Sequence, residues 1–218
     1  MAGVKNATVH QLRSGRHQYT RDAVIASQRG RLLDAVAEAV AAKGYAATTV
    51  ADVVDRAAVS RRTFYEQFVD LESCFLTAYQ AGMELLLEEI RMAVGAHPET
   101  DWRQRARASI DAYLKALAAR PGAAWAFSIE AVGAGRAVLE QRAAVLDRWV
   151  RQWRGLQGVA RREDARVPIA SDEQLLVLVG GIEELVRDCL RTRGAEHLPE
   201  LADRVSRIAI STVGPCTP

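Results

Sequence analysis

The stretch TTVADVVDRAAVSRRTFYEQF, residues 48–68, decides the fold, because its residues follow a helical spacing with one short interruption. Thr49, followed three residues later by Asp52, is close to the capping box that opens a helix. A very short turn follows at residues 58–59, and Ser60 can cap a second helix. The pattern therefore predicts two short helices joined by a tight turn.

The second helix has one apolar side and one polar side. At about 100° per residue, Phe64 and Phe68 fall together and must face the interior. The other side offers hydrogen-bonding groups that suit bases and phosphates in a DNA major groove. The spacing alone is equally compatible with an αα-hairpin whose polar face is solvated. The predicted outward residues are Arg61, Arg62, Thr63 and Tyr65.

The bulk composition is that of an ordinary folded protein. The chain has 218 residues, of which 49% are hydrophobic and 26% charged, which argues against wholesale disorder. The longest apolar run, LLVLVGGI from Leu175, is too short to cross a bilayer. The first twenty or so residues have no apolar segment of the kind that a secretory signal needs. A cytoplasmic protein is therefore expected.

Charge and reactive residues narrow the class of function. Residues 1–70 hold ten Lys/Arg against seven Asp/Glu, and residues 71–218 hold nineteen against twenty, so the positive excess is N-terminal. That excess favours a phosphate-facing N-terminal end. The three cysteines and four histidines show no metal-ligand spacing, and no catalytic Ser, His or Cys constellation is visible. No enzyme activity, metal or cofactor is predicted, and a small helical enzyme finds no support.

The rest of the chain also follows helical periodicity, and no segment alternates as a strand would. The pattern predicts a loop over residues 157–168, after a long helix that bears Trp149 and Trp153. Ser171 and Gln174 form another capping box that opens the next helix. The sequence therefore predicts an all-α protein with three parts: an N-terminal arm over 1–25, a DNA-binding domain over 26–86 with its motif at 49–68, and a ligand-binding and dimerisation domain over 87–214.

The stretch TTVADVVDRAAVSRRTFYEQFVDLESCF resembles the DNA-binding signature of the tetracycline-repressor (TetR) family of bacterial regulators, over about residues 27–86. Its V-S-x-x-T-F-Y-x-x-F pattern is specific. The resemblance implies a homodimeric, all-helical repressor that binds a pseudo-palindromic DNA operator and is released by a small-molecule effector. It also implies an N-terminal helix-turn-helix domain with a larger regulatory domain behind it. Thr49 and Arg29 join the outward residues above as predicted DNA contacts.

Three positions depart from the family pattern. Ala58 stands where the turn usually has glycine, so the turn lacks the residue that adopts left-handed backbone most easily. Arg62 stands where glycine is frequent, which should change base preference. Leu71 stands where a lysine commonly meets phosphate, so Arg29 or the basic residues of the arm are expected to supply that charge. The arm residues concerned are Arg13, Arg16 and Arg21.

The C-terminal part holds all four tryptophans, and aromatic walls with a few polar groups are typical of small-molecule pockets. Ordinary core packing is the alternative for each tryptophan. Glu130 lies in the apolar run AWAFSIEAV, where a carboxylate needs a partner. Arg136, Arg142 or a cationic ligand could supply it. The predicted ligand-binding residues are Trp102, Trp125, Phe127, Glu130, Trp149 and Trp153.

The last two predicted helices, residues 172–193 and 198–213, are expected to form the homodimer interface. The first of them is apolar on more than one face, and Gly180 and Gly181 would let two such helices approach closely.

The alternative function is a module of the same fold that binds a small molecule but has weak or lost DNA binding.

Overall fold

The computed structural model describes residues 21–96 and 101–214, and the regular structure in these ranges is helical throughout. The prediction of an all-α fold is therefore confirmed. Most of the arm predicted over residues 1–25, including Arg13 and Arg16, lies outside the described residues. The N-terminal helices are α1 (Arg21–Lys43), α2 (Val50–Ala57), α3 (Arg61–Tyr65) and α4 (Leu71–Gly95).

Helix α1 begins earlier than the apolar pattern indicates. The apolar spacing becomes helical only at Ser27, after a short turn expected over residues 21–26, whereas the structure has Arg21 already in the helix. Val24 and Ile25 in these added turns are 37% and 41% exposed, so the turns bury little apolar surface. They extend α1 because adding a residue to an existing helix gains one hydrogen bond without a new nucleation step.

The described C-terminal residues form further α-helices, which range from 8 to 28 residues in length. They are connected by short turns, two of which are themselves 3-10 helices. Among the described residues, no helix is long and apolar enough to span a membrane. The elements are α5 (Trp102–Ala118), α6 (Pro121–Ser128), a 3-10 turn (Glu130–Gly133), α7 (Arg136–Glu163), α8 (Asp172–Thr192), a second 3-10 helix (Ala195–Leu201) and α9 (Ala202–Val213).

Two details of the sequence prediction were wrong. The loop predicted over residues 157–168 begins only after Glu163, because α7 continues through this segment. Gln157 and Ala160 are buried on α7, so packing sustains a stretch whose polar composition indicates a loop. The last helix, predicted over 198–213, starts as the 3-10 helix, and α9 proper begins at Ala202.

Two hydrophobic cores share helix α4. Its N-terminal half places Cys74, Phe75, Ala78 and Tyr79 in a core with α1, α2 and α3, and this core also takes residues from α6 and α7. Its C-terminal half places Leu86 and other residues in a second core with α5, α8 and α9. Helix α4 therefore runs without interruption across the domain boundary predicted at residue 86.

The turn between α2 and α3 contains a non-glycine residue in left-handed backbone. Ala58 has φ +51° and ψ +49°, and no other non-glycine residue in the described ranges has a positive φ. This conformation costs an L-residue roughly 1–2 kcal/mol, because Cβ crowds the following carbonyl oxygen. The missing glycine is therefore compensated by strain at one alanine.

Replacing that alanine with glycine should stabilise the domain. In Ala58→Gly the strain disappears, but the unfolded chain gains conformational freedom, so the net gain in unfolding free energy should be about 0.5–1 kcal/mol. Chemical denaturation followed by circular dichroism measures this value. Ala57→Gly, inside α2, is the matched control and should destabilise. Loss of stability in Ala58→Gly would contradict the strained turn.

Candidate DNA-reading face and internal cavity

Side-chain caps begin both helices of the predicted DNA-binding motif. The Asp52 N–H donates to Thr49 Oγ1 at 3.3 Å, and the Asp52 carboxylate accepts from the Thr49 N–H at 2.7 Å. The predicted capping box is therefore confirmed, and it occupies the hydroxyl of Thr49, one of the predicted DNA contacts. At the start of α3, Ser60 Oγ accepts from the Thr63 N–H at 3.0 Å. Both helix starts are thus specified within four residues of sequence.

Phe64 faces the interior from α3, as predicted, whereas Phe68, expected on the same helix, lies three residues beyond its end and packs against Phe64 from there. Phe64 is fully buried and Phe68 is 5% exposed, with their ring centroids 5.7 Å apart. The guanidinium of Arg29 lies 4.6 Å from the centroid of the Phe68 ring, which is a cation–π contact. Arg29 therefore also helps to pack α1 against the segment that follows α3, and its predicted phosphate contact stays a prediction.

Arg31, which the sequence analysis did not single out, fixes the end of α2. Its Nη1 donates to the carbonyl of Ala57 at 2.9 Å and also lies 3.4 Å from the carbonyl of Ala58. Carbonyls at the end of a helix have no partner within the helix, so a guanidinium there stabilises the helix end. The contact joins residues 26 positions apart, and no local sequence signal indicates it.

The solvent-facing side of α3 carries the predicted reading groups. Arg61, Arg62 and Tyr65 are exposed, whereas Thr63 is half-buried with its hydroxyl in hydrogen-bond contact with Ser60. Arg62 Nε donates to Glu66 Oε1 at 2.9 Å, and both side chains are largely exposed. Such exposed pairs are weak because water screens them. Arg62 can therefore exchange Glu66 for a guanine edge.

Residues of the chain itself occupy the N-terminal end of α4. Leu71 is partly buried against the N-terminal core. Asp70 Oδ1 accepts from the N–H of Ser73 at 2.7 Å, so an acidic cap occupies the end of α4. A phosphate would meet this carboxylate at the place where the family commonly has a lysine.

A cavity of about 500 Å³ lies between α4, α5, α7 and α8. This volume falls in the range of small-molecule sites, which are mostly apolar with a few polar groups. The main apolar lining comes from Leu87, Ile90, Ile110, Trp149, Trp153 and Leu156.

One end of the cavity holds a partly buried charged cluster around Glu183. Its carboxylate accepts from the Tyr113 hydroxyl at 3.3 Å and from Arg142 Nη2 at 3.2 Å, and Arg187 Nη1 lies 3.6 Å away. Burial, and then the neighbouring Glu183 charge, hold the pKa of Tyr113 well above its usual value. Tyr113 therefore remains a protonated donor, and its ring packs edge-on against Trp149.

The other end of the cavity is marked by arginines. Arg105, eight residues before Tyr113 on α5, lies roughly 12 Å from it along the helix axis. Arg91 lines the cavity one turn before Gly95, the last residue of α4, and pairs with Glu88 on the exposed surface at 2.6 Å. An apolar chain with an anionic head fits this distribution of charge.

The structure divides the six residues predicted to bind a ligand. The residues that line the cavity are Trp149 and Trp153. The residues that do not line it are Trp102, Trp125, Phe127 and Glu130. Residue type does not reveal which face of a helix meets a cavity. Trp102, for example, is fully buried in the core. Tyr113 and Glu183 also line the cavity and were not predicted, because single positions on helical stripes carry no distinct signal.

Glu130 has a different partner from those predicted. Its Oε2 accepts from the backbone N–H of Tyr45 at 3.0 Å. Of the two arginines predicted as partners, Arg136 pairs with Glu140 at 2.8 Å, and Arg142 pairs with the cavity carboxylate. The prediction of Glu130 as a ligand-binding residue is therefore corrected: this carboxylate bonds to the helix-turn-helix half of the chain.

Comparison with known proteins gives a family match in the N-terminal part of the chain. Residues 32–78 match the family model of the bacterial regulatory proteins, tetR family. The chain is 34% identical over 87 residues to the HTH-type transcriptional activator FasR of Mycolicibacterium smegmatis. That match spans 40% of this chain and 39% of FasR.

Solved structures share the fold over most of the chain. The fatty acid degradation regulator FadR from Bacillus halodurans has a TM-score of 0.76 at 18% identity, covering 84% of this chain and 94% of that one. FadR from Bacillus subtilis, solved in complex with stearoyl-CoA, has a TM-score of 0.74 at 16% identity, covering 84% and 98%. At these identities the likeness establishes the fold alone.

The exposed face of α3 generates a test of base reading. Arg62→Ala should weaken binding to the specific DNA site by roughly tenfold or more and relax preference at one base pair, because a bidentate arginine–guanine contact is lost. Tyr65→Phe should weaken binding to all sequences alike, as the loss of a phosphate contact does. Gel-shift titrations on specific and scrambled duplexes measure both effects. Unchanged specific affinity in Arg62→Ala would remove this residue from the reading set.

Proposed function

Because the chain belongs to the tetR family of bacterial regulatory proteins, we propose that it is a ligand-responsive transcriptional repressor that binds a pseudo-palindromic operator as a homodimer. One observation carries the proposal: Arg61, Arg62 and Tyr65 project from a short helix whose other side is held by two buried phenylalanines. A fixed helix with exposed donors suits a major groove.

The proposed effector is a long-chain acyl group with an anionic head, such as an acyl-CoA thioester. An apolar cavity of about 500 Å³ with Arg91 and Arg105 at one end supports this choice. The likeness in fold to a FadR solved with stearoyl-CoA agrees with it. The acyl chain would lie along Trp149 and Trp153, with the charged head near the arginines.

The proposed mechanism follows from linkage. If the acyl ligand prefers a helix arrangement in which the two reading helices of a dimer no longer match successive grooves, it must lower operator affinity. The operator then lowers ligand affinity by the same factor, which corresponds to a coupling free energy of ~1–3 kcal/mol in typical cases. Helix α4 can transmit the change, since it lines the cavity and also packs in the N-terminal core.

A second candidate is an effector-binding module of this fold with weak or lost DNA binding. One observation favours it: Asp70 presents a carboxylate at the start of α4, beside Leu71, where the family commonly has a lysine. Selection of genomic fragments by the purified protein separates the two candidates. Recovery of a pseudo-palindromic fragment supports the regulator, and recovery of none supports the module. Because one relative is named an activator, a reporter assay on the recovered fragment decides whether this protein represses or activates transcription.

Acyl chain length provides a direct test of the cavity. Each buried methylene contributes about 0.8 kcal/mol, so affinity for saturated acyl-CoA thioesters should rise about fourfold per carbon until the cavity is full. Tryptophan quenching measures this affinity, and the same titration should release the operator fragment.

Two substitutions locate the quenching. Trp149→Phe should remove a large part of it, whereas Trp125→Phe, outside the cavity, should leave it unchanged. Affinity that does not depend on chain length, or quenching that survives the loss of both Trp149 and Trp153, would refute the acyl site.

The proposed dimer interface uses α8 and α9. Val177 is 75% exposed, and Leu176 and Ile208 are 45% and 43% exposed. Gly180 and Gly181 have open space where a side chain would stand. Val177 and these two glycines follow i, i+3, i+4 spacing, so they form one apolar, low-relief stripe on which a second copy could pack closely.

A charge in that stripe should separate the protomers. Val177→Asp should shift the mass from dimer to monomer at micromolar concentration, because an unpaired carboxylate cannot be buried without a large penalty. Analytical ultracentrifugation measures the mass. Val69→Asp, at an 80% exposed position next to α3, is the matched control and should remain dimeric. A wild-type monomer, or a dimeric Val177→Asp variant, would disprove the interface.

A further inference from the structure

The carboxylate of Glu130 ties the C-terminal half of the chain to the helix-turn-helix. Its Oε2 accepts from the Tyr45 N–H at 3.0 Å, across 85 residues of sequence. The same oxygen is 3.4 Å from the position that a Cβ on Gly44 would take, and Gly44 has φ +82°. The contact thus joins the 3-10 turn after α6 to the corner, residues 44–49, that leads from α1 to α2.

This corner is bonded internally and leads straight into the cap of α2. The Thr48 N–H donates to the Tyr45 carbonyl at 3.1 Å, and the Thr48 hydroxyl donates to the Gly44 carbonyl at 2.7 Å. The next residue, Thr49, is the N-cap of α2. A displacement of Tyr45 therefore moves the start of α2, and α3 follows after a short turn.

Aromatic packing holds the same region from the side of α6. The Phe127 ring lies 2.7 Å from the position of a Cβ on Gly82, so α6 meets the α4 backbone without an intervening side chain. The ring centroid of Phe127 is 5.5 Å from that of Tyr79 and 5.8 Å from that of Phe75. The Phe75 ring in turn contacts the Tyr45 ring at 5.1 Å. Tyr45 is therefore held at both its ring and its backbone N–H.

The aromatic cluster around Tyr45 also connects to the cavity. Tyr79 packs in the N-terminal core, and Trp149 of α7 packs against both hydrophobic cores. Glu183 lines the cavity, and so does Trp149 on α7, the helix that follows the 3-10 turn of Glu130. A molecule that fills the cavity therefore contacts helices that are connected to the Glu130–Tyr45 hydrogen bond.

We propose that Glu130 is a positioning residue for DNA reading, through which the cavity-bearing half holds the α1–α2 corner, and with it α2 and α3, in the operator-binding geometry. The inference rests on the proposed function, since it specifies how the cavity and the reading helix are coupled. One hydrogen bond suits this role because it is lost when donor and acceptor separate by a few tenths of an ångström beyond 3.2 Å.

Three substitutions isolate the hydrogen bond from the charge. Glu130→Ala removes both, and Glu130→Asp keeps the charge but retracts it by one methylene. Glu130→Gln keeps an acceptor oxygen at full reach and loses the charge. Glu140→Ala, at an exposed carboxylate of α7 whose partner is Arg136, is the matched surface control. If Glu130→Ala does not fold, Glu130→Asp alone tests the loss of the hydrogen bond.

The first measurement uses the recovered operator fragment with and without stearoyl-CoA. Glu130→Ala and Glu130→Asp should bind the fragment roughly tenfold more weakly without stearoyl-CoA, which corresponds to about 1.4 kcal/mol. The ratio of operator Kd values with and without stearoyl-CoA should fall towards one, while stearoyl-CoA affinity in the absence of DNA is not reduced. Glu130→Gln and Glu140→Ala should behave as wild type. Wild-type ratios in the alanine and aspartate variants, or a glutamine variant as impaired as alanine, overturn the proposal.

The second measurement needs neither DNA nor ligand. Hydrogen exchange read by mass spectrometry should show faster exchange over residues 44–65 in Glu130→Asp, with exchange in α5 unchanged. Uniform acceleration over the whole chain would mean a purely structural role, and unchanged exchange over 44–65 would mean no role; either result overturns the proposal. If wild type binds no DNA or ignores stearoyl-CoA, the proposed function fails, and this measurement still decides the role of Glu130.

Discussion

Helix α4 imposes the constraint on which the rest of the structure depends, because its 25 residues belong to two hydrophobic cores at once. Phe75 and Tyr79 pack with the helix-turn-helix, and Leu87 and Ile90 pack beside the cavity. At about 1.5 Å per residue the helix spans roughly 37 Å, and a helix of that length without a break is stiff. Neither core can rearrange around α4 without displacing the other.

The exposed, DNA-reading face of α3 depends on a balance of weak local interactions. Ala58 holds a left-handed turn at a cost in strain, and Arg31 offsets part of that cost by bonding the carbonyls at the end of α2. Arg62 is held by a solvent-screened pair with Glu66, which DNA can displace. The motif thus combines a rigid buried side with outward groups whose present partners are replaceable.

The cavity shows why aromatic content is a poor guide to a ligand site. Trp102 and Trp153 are both buried, yet only Trp153 borders the cavity. The difference arises from how α5 and α7 are rotated against each other, and helix periodicity contains no information on that rotation. The polar residues of the cavity, Tyr113 and Glu183, come from different helices and meet only through packing.

The sequence by itself determined the features that act within a few residues. The caps at Thr49 and Ser60 and the pairing of Phe64 with Phe68 were all predictable, because helix caps and one-sided burial depend on spacings of three or four residues. The all-helical fold followed from the same periodicity repeated along the chain. Tertiary structure alone decided the bond of Arg31 to α2, across 26 residues, and that of Glu130 to Tyr45, across 85. A carboxylate or guanidinium takes whichever partner packing brings near it, and that choice is settled only when the helices have docked.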